Sequence, residues 1–450
     1  MKRIIDFFLQ EWKNEKFNRK PLLLRGARQV GKTHSIRELG KTFENFVEVN
    51  LESDLDARKI ISQDFDSKRI VFQLSQFLKK DIIPGKTLLF IDEIQAVPSA
   101  IIALRYFYEL IPELHVIAAG SLLDFAIEKV GMPVGRVSSL YMYPMSFLEF
   151  LVALGDKVWA KAILTHDINT HMLEPIHKKL LDLVGIYLAI GGMPAAIDAW
   201  VQTKTPRQVK RVHSDLLASY RQDFNKYASA YQIKYLDALF NNALAQLSNK
   251  FMFSRVGEYQ KRELEPALEL LKKAGIVHPV IRSAGQGIPI GSQAQLDDFK
   301  IIFLDVGLSQ AALNLDLTSW FVEPLVAFIN KGEIVESFIG QELLVYSDPI
   351  IKGDLFYWHR ENRSSQAEID YLVQIKEKVV PIKVKAGTSL RIKSMHIFLD
   401  SHPNSLYGVR FSAHNFLNEQ RVFTYPLYAA ARPFFDTNTN LQEALLSLVS

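Results

Sequence analysis

The sequence has no cysteine, little net charge and no long apolar run, and each absence excludes a class of protein. With 0 cysteines in 450 residues there can be no disulfide, no thiolate metal site and no cysteine nucleophile. The formal net charge is only +4, so a nucleic-acid partner would have to bind a local basic patch. The apolar stretch at residues 183–197 is interrupted by glycines and a proline, and it is shorter than the roughly 20 residues that span a bilayer. We therefore expect a cytoplasmic protein that does not bind membranes.

The remaining composition is that of an ordinary globular protein. Apolar residues make up 48% of the chain and charged residues 23%, which excludes a disordered or fibrous protein. A chain of 450 residues is too long for one hydrophobic core. We therefore expect several domains.

One segment fits the phosphate-binding pattern G-x-x-x-x-G-K-[ST]. It follows the apolar run at residues 22–24, precedes a helix-like segment, and consists of Gly26, Ala27, Arg28, Gln29, Val30, Gly31, Lys32 and Thr33. Glycines in such a loop let backbone N–H groups turn toward a phosphate at the start of a helix. Lys32 would reach the β- and γ-phosphates of ATP, and the Thr33 hydroxyl would bind Mg²⁺.

A second strand-like run, residues 87–95, ends in two acids. Its near-continuous apolar character is typical of a parallel strand that is covered on both faces. At its carboxyl end Asp92 would hold Mg²⁺ through water, while Glu93 would orient and polarise the attacking water. Nucleotide binding and hydrolysis are separate predictions, and the second depends on Glu93.

Two further polar residues are candidates for contact with the γ-phosphate. Ser121 follows the buried-type strand at residues 115–120 and would either touch the phosphate or simply cap the strand end. Arg136 follows a glycine, and a guanidinium there would match the phosphate in its own subunit or in that of a neighbouring copy, which requires a homo-oligomer. A surface arginine is the alternative.

These motifs together resemble those of the prokaryotic AAA-type ATPases related to the origin-recognition ATPases. More narrowly, the chain is similar to the members that carry a carboxyl-terminal domain of unknown function. Besides the two nucleotide motifs, the resemblance rests on the blocks at residues 119–121, 135–136, 143–147, 191–194, 220–224, 274–277, 299–308 and 381–387.

The resemblance implies an α/β protein with four parts and with ATP and Mg²⁺ as cofactors. These parts are a P-loop AAA-type ATPase domain at 1–150, a helical lid at 151–228, a winged-helix-like region at 229–315 and a restriction-endonuclease-like α/β domain at 316–450. The winged-helix region would bind duplex DNA, or its mixed charges would pack against the ATPase domain.

The last part resembles the PD-(D/E)xK nuclease core but lacks one of its residues. A helix acid, Glu336, precedes the strand that carries Glu368 and Asp370, and Lys385 ends the next strand. Where the pattern requires a glutamate two residues before Lys385, the sequence has Lys383, whose ammonium would repel a metal ion. We therefore expect a vestigial site in a nuclease-like domain that is kept for binding or assembly.

Three functions remain open at this point. The first is ATP hydrolysis coupled to the downstream domains, acting on DNA or on a protein partner. The second is a nucleotide-gated binding switch with little turnover. The third, an ATP-regulated DNA nuclease, depends on the incomplete carboxyl-terminal site.

Overall fold

The structure is a computed structural model that describes residues 1–315, 317–324, 326–327, 331–360, 367–387 and 392–450. Within these residues the strands form two sheets, one of five strands in the amino-terminal part and one of eight strands further along the chain. Short 3₁₀ turns lie at Ile94–Ala96, Phe253–Arg255, Ile290–Gln293 and Leu427–Ala429.

The amino-terminal part alternates strands with helices. Its elements are α1 (Ile4–Asn14), β1 (Leu22–Arg25), α2 (Lys32–Gly40), β2 (Asn45–Asn50), α3 (Leu55–Ser62), α4 (Ser67–Leu78), β3 (Thr87–Asp92), α5 (Pro98–Leu110), β4 (His115–Ala119), α6 (Leu123–Val130), β5 (Ser138–Tyr141) and α7 (Phe147–Ala153). The strands lie in the order β2-β3-β4-β1-β5 and are all parallel. Every residue of β3 and β4 is buried, which is why both read as continuous apolar runs. The predicted parallel α/β domain is confirmed, and the carboxyl ends of β1, β3 and β4 meet at one edge.

A helical region follows this sheet. It consists of α8 (Lys157–Thr165), α9 (Glu174–Ile190), α10 (Pro194–Thr203), α11 (Pro206–Tyr227), α12 (Ala230–Ala245) and α13 (Lys261–Lys273). The longest of them, α11, has 22 residues and buries one side while it exposes charged side chains on the other.

The second sheet joins two regions that the sequence analysis treated as separate. Its elements and the accompanying helices are β6 (Val277–Ser283), β7 (Ala294–Phe303), α14 (Val306–Ala312), α15 (Thr318–Val322), α16 (Gly332–Val345), β8 (Leu355–His359), β9 (Glu368–Ile375), β10 (Lys378–Val384), α17 (Lys393–Ser401), β11 (Gly408–Ser412), β12 (Leu417–Glu419), β13 (Val422–Pro426), α18 (Arg432–Phe435) and α19 (Thr439–Val449). The strand order is β12-β13-β11-β10-β9-β8-β6-β7. The β6–β7 hairpin, expected as the wing of a winged helix, is thus one edge of this sheet and pairs with β8 through Val280 and Leu355. The winged helix stays a prediction. The domain boundary expected between residues 315 and 316 lies within the segment from β6 to β13, which forms this one sheet.

A helix that crosses a membrane needs about 20 predominantly apolar residues. In the described ranges, none of the helices combines the length and the apolar character that crossing a membrane requires.

Segments from four parts of the chain meet at a buried junction around Gly192. The Met145 N–H donates to the Gly192 carbonyl at 2.7 Å, and the Gly192 N–H donates to Asp305 Oδ2 at 2.5 Å. Gln341 on α16 donates to the Tyr187 hydroxyl, which donates to the Met145 carbonyl. A Cβ at Gly192 would lie 2.2 Å from the Met145 oxygen, so only glycine fits this crossing. The junction fixes the helical region against the first domain.

A buried carboxyl beside this junction leads to a prediction about pH. Glu342 accepts hydrogen bonds from the Phe147 N–H at 2.9 Å and the Tyr346 hydroxyl at 2.8 Å, and burial raises its pKa to about 8. Between its ordinary pKa near 4.5 and about 8, the unfolded chain loses this proton while the folded chain keeps it. The free energy of unfolding should therefore fall by about 1–3 kcal/mol as the pH rises from 5 to 8.

Urea denaturation across that pH range, in wild type and Glu342→Gln, measures this effect. The glutamine variant should lose less stability than wild type, whereas Glu333→Gln, an exposed position on the same helix, should follow wild type. If the free energy of unfolding falls equally with pH in wild type and in Glu342→Gln, this carboxyl does not titrate between pH 5 and pH 8.

Candidate active site

The loop between β1 and α2 has the backbone shape that a phosphate-binding loop needs. Gly26 has φ of 146° and Gly31 has φ of 106°, values that side-chain-bearing residues rarely adopt. A Cβ at Gly26 would lie 2.1 Å from the Met142 oxygen. Because α2 begins at Lys32, the N–H groups of its first turn have no acceptor within the helix and remain available to an anion.

Lys32 is buried within this loop, and its ammonium is held in place. Its Nζ donates to the carbonyl oxygens of Gly26 and Ala27, both at 2.8 Å. Since an ammonium has three protons, one donor remains for a ligand. Burial lowers the pKa of Lys32 to about 8, although the Glu93 and Asp92 carboxylates oppose the shift. A bound phosphate would add negative charge and favour the protonated form.

Thr33 and Asp92 lie side by side at the edge where β1 and β3 end. The Thr33 hydroxyl donates to Asp92 Oδ2 at 3.1 Å, and Asp92 Oδ1 accepts from the Glu93 N–H at 3.0 Å. Burial, and then the neighbouring Glu93, raise the pKa of Asp92. A hydroxyl next to a carboxylate offers the oxygen ligands that Mg²⁺ prefers, so the residues fit this ion.

Glu93 is held by a residue that the sequence analysis did not single out. The Gln95 side-chain amide donates to Glu93 Oε2, and Glu93 itself has a left-handed backbone with φ of 50°. Gln95 Oε1 is buried and has no hydrogen-bond partner among the described residues. A lone glutamine two residues after an acid carries no sequence signal of its own, so only the structure reveals this contact.

Ser121 and Arg136 occupy different places relative to the loop. Ser121 lines a small cavity of about 50 Å³ together with Gly26 and Ala27. Arg136 is 46% exposed, and its Nε donates to Glu109 Oε1 on α5 at 2.9 Å. Ser121 therefore lies beside the loop, whereas Arg136 lies on the protein surface next to α5. A contact between Arg136 and phosphate stays a prediction.

Helix α11 contacts the loop directly, which the sequence did not show. Arg28 donates to both carboxylate oxygens of Asp223 at 2.6 and 2.8 Å, and the Tyr220 hydroxyl donates to the Arg28 carbonyl at 2.5 Å. The residue between them, Arg221, donates instead to Asn241 on α12 at 2.9 Å. Helix α11 therefore touches the loop through Tyr220 and Asp223, whereas Arg221 points toward α12.

A buried arginine near the amino terminus supports the loop from behind. Arg3 donates to the Val30 carbonyl and to the Tyr143 carbonyl, both at 2.7 Å, and to Glu149 Oε1 at 2.9 Å. Because these three contacts use its whole guanidinium fork, Arg3 fixes the loop relative to α7.

The acids of the expected vestigial site are paired with lysines. Lys300, on β7, is buried, and its Nζ donates to Glu336 Oε1 at 3.0 Å and to Glu368 Oε1 at 2.5 Å. Burial alone would lower the pKa of Lys300, but the Glu336 and Asp370 carboxylates raise it above its ordinary value. Burial, followed by Asp370, raises the pKa of Glu336.

Asp370 is neutralised by the lysine that replaces the expected glutamate. Lys383 Nζ donates to Asp370 Oδ1 at 2.5 Å, and the Val384 N–H donates to Asp370 Oδ2 at 2.6 Å. Lys385 is half-buried, and burial followed by Lys383 lowers its pKa. In the part of the chain that the structure describes, no group of three or more His, Asp or Glu side chains is placed to hold a metal ion. The Glu336, Glu368 and Asp370 site is thus filled by two ammonium groups.

Comparisons with known proteins give three family matches along the chain. Residues 18–151 match the family described as AAA domain. Residues 182–319 and 331–429 match two domains of unknown function, DUF8612 and DUF4143. A search of curated proteins returns no match.

Solved structures resemble the chain only weakly. The Walker-type ATPase PABY2304 of Pyrococcus abyssi is 13% identical, with a TM-score of 0.43 over 69% of this chain and 95% of that one. The Hsp104–ADP complex of S. cerevisiae is 15% identical, with a TM-score of 0.28 over 75% of this chain and 43% of that one. PCH-2 of C. elegans is 14% identical, with a TM-score of 0.25 over 46% of this chain and 66% of that one. No functional inference rests on TM-scores this low.

The family match and the geometry point to the same segment. The matched residues contain the parallel sheet, the loop with Lys32, and the Thr33–Asp92 pair at its edge. Residues 18–151 therefore form a parallel α/β domain that matches the AAA domain family, and two matches to domains of unknown function follow it along the chain.

Proposed function

We propose that the protein binds and hydrolyses ATP in a Mg²⁺-dependent reaction. We further propose that the conformation of its downstream domains depends on the bound nucleotide. The observation that carries the proposal is the 3.1 Å contact between Thr33 and Asp92, directly beside the ordered ammonium of Lys32. These groups supply a metal site and a phosphate site at the same edge of the sheet.

The roles of the residues follow from their positions. Lys32 and the N–H groups of the first turn of α2 bind the phosphates, and Thr33 and Asp92 hold the metal site. Mg²⁺ held there would supply positive charge to neutralise the phosphate oxygens. Glu93 orients the attacking water and accepts its proton. Ser121 contacts the γ-phosphate. Arg136, which is exposed and paired with Glu109 in its own chain, is proposed to contact the γ-phosphate of a neighbouring copy in a homo-oligomer.

The Thr33 hydroxyl provides the test of this proposal. Thr33→Val keeps the shape of the side chain but removes the hydroxyl, so Mg²⁺-dependent phosphate release should fall by about 10-fold or more. Thr33→Ser retains the hydroxyl and should keep most of the activity. Phosphate release is measured with Mg²⁺ and with EDTA. Equal rates in Thr33→Val and wild type would contradict the metal assignment.

A nucleotide-gated switch with little turnover is the second candidate, and the contact between Gln95 and Glu93 favours it. The amide occupies one of the two Glu93 carboxylate oxygens and competes there with an attacking water. In a switch, Gln95→Ala should raise phosphate release above that of wild type. In a constitutive ATPase the same substitution leaves release unchanged or lowers it.

For the carboxyl-terminal part we propose a nuclease-like fold that binds DNA or a protein partner and does not cleave. The order α16, three antiparallel strands β8 to β10, α17 and the parallel strand β11 supports this fold. The pairing of Lys300 and Lys383 with the acids opposes metal binding. Supercoiled plasmid incubated with the protein and Mg²⁺ or Mn²⁺ should stay intact. Nicking that disappears in Asp370→Ala would contradict this assignment.

A further inference from the structure

A groove of about 790 Å³ lies along α11, between this helix and the segment that follows α14. The helix residues in its wall run from Arg207 to Arg221, which corresponds to about 21 Å at the rise of an α-helix. Asp223, which contacts the phosphate-binding loop, is two residues beyond Arg221 and therefore projects from the opposite face of the helix. The groove is thus separate from the nucleotide site but shares its helix.

The rim of the groove is basic. Arg207, Lys210 and Arg221 line it, and none of the described lining residues is acidic. Neither Arg207 nor Lys210 forms an ion pair with any described residue, whereas Arg221 contacts only the neutral amide of Asn241 and the Phe240 ring. Unpaired cations concentrated along one wall favour a ligand with several negative charges. Asp316, close in sequence, lies outside the described residues.

The floor of the groove is apolar, and a buried histidine lies beneath it. Leu217 and Phe321 contribute apolar surface. His213 is fully buried, and its Nε2 donates to the Ile190 carbonyl at 2.7 Å. Because the carbonyl can only accept, Nδ1 is the acceptor nitrogen, and it has no partner among the described residues. Because His213 is fully buried, it lies beneath the apolar floor and does not contact a ligand in the groove.

We propose that this groove binds an acidic amphipathic helix of a partner protein. Such a helix places apolar side chains on the floor and carboxylates against the basic rim, and about four of its turns match the length of the groove. A nucleic-acid strand fits less well, because Phe321 is the one Phe, Tyr or Trp among the described lining residues and bases need several rings to stack on.

Fluorescence anisotropy with model peptides tests the proposal on the full chain. The probe is a labelled helix of about 18 residues with a leucine stripe flanked by glutamates, and its matched control has lysines in place of the glutamates. The glutamate peptide should bind with a Kd below about 100 μM and more weakly at high salt, whereas the lysine peptide should not bind. Arg207→Glu combined with Lys210→Glu should weaken binding about 10-fold or more. The same reversal at Lys178 and Lys179, exposed on α9, should leave binding unchanged.

A second variant keeps the test decisive if the double charge reversal does not fold. Ser214→Trp fills the exposed middle of the groove without changing charge, and it should also abolish binding. Both variants should retain wild-type phosphate release in the absence of peptide, so that failure of the ATPase proposal and failure of this one are distinguishable. The proposal is overturned if the glutamate peptide does not bind, or binds the groove variants as tightly as wild type. It is equally overturned if a single-stranded oligonucleotide, and not the peptide, binds through Arg207 and Lys210.

Discussion

Replacing Glu93 with glutamine is expected to lower steady-state phosphate release by about 100-fold or more while the Kd for ATP changes little. Glutamine keeps the shape of the side chain and its contact with water, but it cannot accept a proton. Lys32, Thr33 and the loop N–H groups are untouched, so the binding contacts remain. The expected pattern is a loss in kcat with little change in nucleotide affinity.

Steady-state phosphate release and equilibrium nucleotide binding, measured on the same preparation, separate these two quantities. Glu44→Gln is the matched control, because Glu44 is an exposed acid of the same domain that pairs with Lys86 at 2.9 Å. It should behave as wild type. If Glu93→Gln and wild type release phosphate at equal rates, another group activates the water and the role given to Glu93 is wrong.

Lys300→Ala is expected to destabilise the carboxyl-terminal sheet by about 3 kcal/mol or more. The lysine pairs with Glu336 and Glu368, and its removal leaves the Glu336 carboxyl in a poorly solvated site without its main cation, whereas Glu368 is 45% exposed. Removing one partner of a buried ion pair costs more than removing an exposed pair, because the remaining charge stays buried. We expect a lower midpoint of urea denaturation with an unchanged m-value.

Lys261→Ala is the matched control for this change, since Lys261 and its partner Asp297 are both exposed. Its loss should cost no more than about 1 kcal/mol. Lys300→Met combined with Glu336→Gln removes the ammonium and the more buried of its two carboxylate partners together, and it should recover part of the lost stability. Equal midpoints for Lys300→Ala and Lys261→Ala would show that the lysine is not an essential counter-ion.

The sequence predicted the features that depend on consecutive residues. The loop from Gly26 to Thr33 and the strand that ends at Asp92 carry their own local signals, and both lie where the sequence placed them. Their meeting at one sheet edge follows from the rule that parallel strands end together. The departure from the nuclease pattern at Lys383 was also predictable from the sequence, because it is defined by its spacing from Lys385.

Long-range partners could not be predicted in this way. Arg28 and Asp223 are 195 residues apart, and Lys300 reaches Glu336 and Glu368 across 36 and 68 residues. The local sequence around each of these side chains does not distinguish it from an ordinary surface charge. The β6–β7 hairpin shows the same limit, since the hairpin itself is a local feature but its pairing with β8 depends on the fold of the whole second sheet.

Isothermal titration calorimetry with ATP and Mg²⁺, on wild type and Lys32→Ala, tests the central claim most directly. Lys41→Ala serves as control, because Lys41 is exposed beside the end of the same helix and pairs with Glu38. A loop that binds phosphate through Lys32 predicts saturable heat for wild type and Lys41→Ala, and a loss of affinity of about 100-fold or more for Lys32→Ala. Absence of heat with wild type, or identical titrations for wild type and Lys32→Ala, would contradict it.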